Sequence, residues 1–382
     1  MSVSEATRQE RIAKLPNLLP FYLCYINVAL FALNAYLGGF WFIPLFVFNF
    51  YMLGTLDIFV DLYEKNADPA TETRDLFWYR LVTILWFPTQ LLISFGGLYY
   101  TLRIADHAAW ESWMIMVSAG VLLGGMGITF AHEMMHQKPR LERWFADGLM
   151  CIALYGHFRS EHIKVHHRYV ATPRDTVTAR YGEGFYRFFL RVLPEGFASA
   201  WGAEKEHLKK RGRLVWHLSN PFWIYGVLSS AFLAVAYWIG GLFGVLIFVN
   251  SAFVAVLLLE VINYVEHYGL TREYLGDGKY EQVRPRHSWN ASHKYTNFLL
   301  VNLQRHSDHH YSPSRRFPLL QTYSEEEAPQ LPYGYPIMVM AALYPRMWKF
   351  RMNKRVREWR KTFYPHIDDW TDYNTGNNPQ PR

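Results

Sequence analysis

Nine histidines in four short stretches hold the chemistry that this chain could do. "FAHEMMHQKP" supplies His132 and His136, and "SEHIKVHHRY" supplies His162, His166 and His167. "NYVEHYGL" supplies His267, and "LQRHSDHHYS" supplies His306, His309 and His310. Helical residues three or four apart share a face, so 132/136, 162/166 and 306/310 each predict two imidazoles aimed one way. His167 follows His166 by about 100° around a helix and is predicted to point to a second ion. Nine imidazoles exceed the coordination of one metal and suit two. The first stretch also spells H-E-x-x-H, the zinc-protease pattern, with Glu133 as its general base. A protease needs three protein ligands, which leaves six of these histidines without a role.

Neutral imidazoles do not compensate the charge of the ions they bind. Glu133, Glu161, Glu266 and Asp308 each adjoin a predicted ligand. A neighbour one residue along points away from its own histidine's ion, so these acids are predicted to accept N–H bonds from ligands on other elements. Glu260, in a charge-free stretch before His267, is a further candidate by location. His107, His157, His207, His217 and His366 stand alone and read as structural. His287 and His293 read as either supporting or structural.

The elements that must position these groups are membrane spans. Hydrophobic residues make up 51% of the 382, yet the mean hydropathy is only −0.07. Long uncharged tracts therefore alternate with segments dense in Lys, Arg and His. A span needs about 20 residues. Six are predicted, over about 18–37, 40–60, 80–102, 112–135, 218–239 and 242–266, with Gly38-Gly39 and Gly240-Gly241 as turns. With the N-terminus inside, only Arg103 of the 39 Lys and Arg falls outside. His132, His136 and His267 then lie where spans exit on the cytoplasmic side, and the other histidine stretches are cytoplasmic segments. The fold class is thus an all-α membrane protein with six transmembrane helices and a cytoplasmic histidine-rich catalytic region. Residues 1–363 read as a single membrane-embedded domain, and 364–382 as a polar tail or linker. "RMWKFRMNKRVREWR" reads as a basic helix, on the membrane surface or in solvent. The net charge of +7 suits a cytoplasmic membrane face, and no nucleic-acid partner is expected. Cys24 and Cys151 form no C-x-x-C pair, and the chain has no flavin or nicotinamide fingerprint, so electrons must come from a partner.

The three histidine boxes resemble those of the integral-membrane non-haem iron desaturases and hydroxylases. "LQRHSDHH" with "NYVEHYGL" is narrower and resembles the bacterial alkane 1-monooxygenases, with xylene-type methyl hydroxylases as near relatives. The likeness runs from about residue 15 to 350 and includes "LDIFVDLYEKNADP" and "ATPRDTVTARYGEG". It implies two non-haem irons held by the nine histidines and terminal hydroxylation of alkanes with O2. It also implies electrons from rubredoxin, itself reduced by an NAD(P)H-dependent reductase, and a multi-pass protein of the bacterial inner membrane with both termini cytoplasmic. Met135, Gln137, Val165 and Tyr311 depart from the usual boxes while every ligand position is kept. An aromatic methyl hydroxylase or a fatty acyl desaturase is the alternative within the same chemistry, and a membrane zinc protease the alternative outside it. Arg315 and Arg316 are predicted to help dock the acidic rubredoxin.

Overall fold

Backbone in hydrocarbon must satisfy its own hydrogen bonds, so the charge-free tracts become helices. The computed structural model describes residues 5–381, and helices dominate it. In chain order they begin with α1 (Glu5–Ala13), α2 (Leu19–Leu37), α3 (Phe42–Phe59), α4 (Thr73–Ile104) and α5 (Ala109–Met135). Next come α6 (Arg140–Ile152), α7 (158–169), α8 (Phe185–Lys209) and α9 (Phe222–His267). Short helices α10 (Lys294–Leu299), α11 (His306–Tyr311) and α12 (Tyr335–Ala342) precede α13 (Pro345–Phe363) and α14 (Thr371–Thr375). A small antiparallel hairpin, β1 (Tyr274–Gly276) with β2 (Lys279–Tyr280), pairs Tyr274 with Tyr280.

Five stretches, α2 to α5 and α9, are long and apolar enough to cross a membrane, where six spans were predicted. The difference lies in α9, whose 46 residues are two legs. Gly240 and Gly241 leave helical geometry, with Gly241 at φ +57°. A Cβ on Gly244 would come within 2.5 Å of the Ala236 carbonyl oxygen. Residues eight apart in a continuous helix are separated by roughly 12 Å, so the chain has folded back.

The three turns read as the outer ones meet at one end. Gly39 N–H donates to Glu111 Oε1 at 2.6 Å, His107 Nε2 to the Ala35 carbonyl at 2.7 Å, and Arg103 Nε to the Ile239 carbonyl at 2.5 Å. The opposite ends of α5 and α9 carry predicted ligands. These two helices approach closely because Gly120 and Gly124 present no side chain. A Cβ on Gly120 would stand 2.4 Å from the Ser251 carbonyl oxygen, and one on Gly124 3.0 Å from Ala255 Cα. Such small-residue stripes let helix backbones touch inside a membrane.

Two segments differ from their sequence reading. The basic helix α13 packs one face against the protein body. Its stripe Trp348, Met352, Val356 and Trp359 is buried, with the Trp348 ring 5.2 Å from that of Tyr264. The polar residues after 363 are held on the body as far as they are described. Tyr373 Oη accepts from Tyr274 N–H at 3.1 Å, and Asn374 Oδ1 from Arg360 at 2.6 Å.

Candidate metal centre

Four elements bring the nine histidines together. The last turn of α5 carries His132, and His136 caps it. His267 ends α9, α7 carries His162, His166 and His167, and α11 carries His306, His309 and His310. Their ring nitrogens form two groups. His132, His136, His162, His167 and His309 make one, and His166, His267, His306 and His310 the other. Within each group the candidate donor atoms lie within 4.8 Å of one another.

One predicted pairing is overturned. His162 and His166 do not aim the same way, because His162–His166 is a π-helical turn. Bonding from i to i+5 widens the turn, so residues five apart come into line. His162 Nε2 therefore lies 2.9 Å from His167 Nε2, while His166 Nε2 lies 3.2 Å from His310 Nε2 in the other group. The pairs 132/136 and 306/310 do share a group as read.

The donor chemistry fits metal ions. The Nε2 atoms point inward, with 3.0 Å between His136 and His162, His167 and His309, His267 and His306, and His306 and His310. Two donors about 2.1 Å from one ion stand roughly 3.0 Å apart at right angles and roughly 3.4 Å apart at tetrahedral angles. The observed spacing lies in the range that donors sharing one ion occupy. Burial and neighbouring imidazoles hold His162, His167, His306, His309 and His310 well below the usual histidine pKa. Burial, with His166 and Arg159 nearby, pushes His136 down to about 3. Neutral rings keep a lone pair free for a metal.

Of the four adjoining carboxylates, only Glu266 stands by a ligand of another element. Its Oε1 is 3.3 Å from His306 Nδ1 and accepts from Tyr335 Oη at 2.8 Å. Asp308 instead accepts from Arg315 at 2.5 Å, Tyr323 at 2.6 Å and Gln321 N–H at 3.0 Å. Glu133 accepts from Gln137 at 3.2 Å, one turn along its own chain. Glu161 has no hydrogen-bond partner among the described residues, and burial beside Asp175 and Glu260 pushes its pKa well up. Glu260 accepts from Tyr155 and Asn263 at 3.0 and 3.1 Å.

Sequence reasoning missed Asp175. It accepts from His166 Nδ1 at 3.0 Å and is held by Val177 N–H and the Thr178 hydroxyl. A metal-bound histidine commonly donates its other ring N–H to a carboxylate in this way. The signal was present in "ATPRDTVTAR", but Asp175 adjoins no histidine in sequence. None of the other seven histidines joins either group. His287 bonds Tyr364 Oη at 2.8 Å, and His293 is buried away from both groups. Arg315 and Arg316 are not a free docking surface, since Arg316 is buried against Glu142 at 2.9 Å and Arg315 is tied to Asp308.

A family profile described as Fatty acid desaturase matches residues 108–342, a segment that holds all nine histidines. The chain is 35% identical over 319 residues to alkane 1-monooxygenase 2 of Pseudomonas aeruginosa, covering 81% of this chain and 82% of that one. It is 38% identical over 289 residues to alkane 1-monooxygenase 1 of Alcanivorax borkumensis, covering 74% and 69%. This chain belongs to the alkane 1-monooxygenase family. The hydroxylase component of a xylene/toluene monooxygenase from Pseudomonas putida is more distant, 26% identical over 353 residues and 90% of each chain. Membership removes the protease reading of His132-Glu133-x-x-His136.

An apolar cavity of about 50 Å³ lies between α3, α5, the second leg of α9 and α12 in this monooxygenase. Val121, Gly125 and Met126 form part of its wall. A second, much smaller one, of about 10 Å³, is lined by Thr129, Glu133, Val301 and Leu303 together with His132 and His309 of the larger histidine group.

Proposed function

We propose that this enzyme converts alkanes to primary alcohols at two irons held by the nine histidines. The overall change is RH + O2 + 2 e⁻ + 2 H⁺ → ROH + H2O. The observation that carries this reading is the pair of all-imidazole groups with a cavity reaching His132 and His309. Nitrogen ligation without thiolates suits iron, and nine imidazoles exceed what one tetrahedral zinc would use. Bound iron would supply the activation of O2. The chain's own residues hold and orient that centre. Asp175 fixes the ring of His166 through Nδ1, and Glu266 lies 3.3 Å from His306 Nδ1. The apolar wall of the larger cavity favours an alkyl chain over water, and its neighbours lie on membrane-crossing helices, from which an alkane dissolved in the bilayer would enter.

The site faces the cytoplasm of a bacterial inner membrane in this reading, because nearly all basic residues lie at its end of the spans. Electrons come from rubredoxin, reduced by an NAD(P)H-dependent reductase. Cys24 and Cys151 are buried and far from such a role. His136 and His167, both in the five-histidine group, are the two ligands only partly buried. Lys138 and Arg168 lie exposed beside them in sequence, and neither is in an ion pair among the described residues. A small acidic donor fits that surface.

The test is product analysis with a mid-chain n-alkane, purified enzyme, rubredoxin and its reductase. A primary alcohol formed in step with O2 uptake is expected. Desaturated product, or activity confined to aromatic methyl groups, would replace the reading with one of the related chemistries.

A further inference from the structure

The linings of the two cavities follow one another along α5. Val121, Gly125 and Met126 line the larger, and Thr129 and His132, one and two turns on, line the smaller. The end of α10 and the loop after it run in the same order. Leu299 and Leu300 line the larger cavity, and Val301 and Leu303 the smaller. The peptide between Leu300 and Val301 therefore stands between the two linings.

Val301 has φ +44° and is the one β-branched residue in the left-handed region among the described residues. That conformation is costly for a branched side chain and persists only where its surroundings dictate it. They do so here. Asn302 N–H donates to the Asn297 carbonyl and its side chain to the Phe317 carbonyl, both at 2.8 Å, and Leu303 N–H donates to the Leu300 carbonyl at 2.9 Å. Glycine would adopt this backbone without steric cost. The chain instead places a stiff, buried, branched side chain against a cavity that touches two candidate ligands.

We propose that Val301 positions the substrate, narrowing the space between the two linings so that only the terminal methyl of an n-alkyl chain reaches His132 and His309. The inference rests on the functional reading above. Product regiochemistry tests it, since a merely structural residue would not change where the hydroxyl is placed. Val301→Gly removes both the strain and the side chain, and Val301→Ala removes most of the side chain alone. Both are expected to keep the wild-type iron content and to raise the ratio of 2-alkanol to 1-alkanol by roughly tenfold, the scale on which small apolar contacts discriminate. Unchanged regiochemistry in both variants, at wild-type iron content, overturns the inference alone. A shift that appears only with iron loss also overturns it, because Val301 would then be supporting the metal centre. If the wild-type enzyme makes no alcohol from any n-alkane, the functional reading falls and takes the inference with it.

Discussion

His267 is the residue that best separates chemistry from coincidence. It lies outside the three histidine boxes and ends α9, where a lone histidine is usually a capping residue. Its Nε2 stands 3.0 Å from that of His306, within the four-histidine group. His267→Ala should lower bound iron and abolish hydroxylation, measured together on purified enzyme. His217, exposed and bonded to Ser219 at 2.8 Å, should tolerate the same change. Full activity in His267→Ala would remove it from the centre. At this scale the sequence showed which nine histidines meet, because their clustering needs no knowledge of the fold. It did not show how they divide. The i, i+4 rule assumes an α-helix, and the π-helical turn at His162–His166 breaks it. Asp308 was misjudged for a related reason, since adjacency in sequence says nothing of Arg315 and Tyr323 folding back onto it.

Among the elements, α5 and the second leg of α9 set the spacing of the centre, since each ends in a candidate ligand. Their contact depends on missing side chains. Gly120→Ala would drive a Cβ against the Ser251 backbone and should destabilise the protein by about 1–3 kcal/mol, with weaker iron binding. Gly202 gives the opposite case. It lies within α8 with nothing within 4 Å of an added Cβ, so Gly202→Ala should stabilise by roughly 0.5–1 kcal/mol. Thermal melts in one detergent check both signs, and equal effects would mean that the close approach is unimportant. The spans were legible because charge-free runs of such length have few other fates. The fold-back of α9 was legible too, from Gly240-Gly241, whereas the burial of the α13 stripe depends on distant partners such as Tyr264.

For the whole molecule, the proposed function assigns electron delivery to the end of the bundle that carries the histidine groups. The docking surface read from sequence, Arg315 and Arg316, is used internally, which no charge count could reveal. Lys138 and Arg168 take its place in the account. Charge reversal at both should raise the apparent KM for rubredoxin by roughly tenfold at low salt while kcat at saturating donor holds. The difference from wild type should shrink as salt cuts the Debye length below about 8 Å. An unchanged KM at both salt levels would put the donor elsewhere. Beneath all of this stands the claim that two histidine groups hold two irons. Metal analysis of enzyme purified from iron-replete cells tests it most directly. Close to two irons per chain are expected, falling together with activity on chelation and returning with Fe(II) but not with Zn(II). One zinc per chain, or activity that survives removal of the iron, would contradict it.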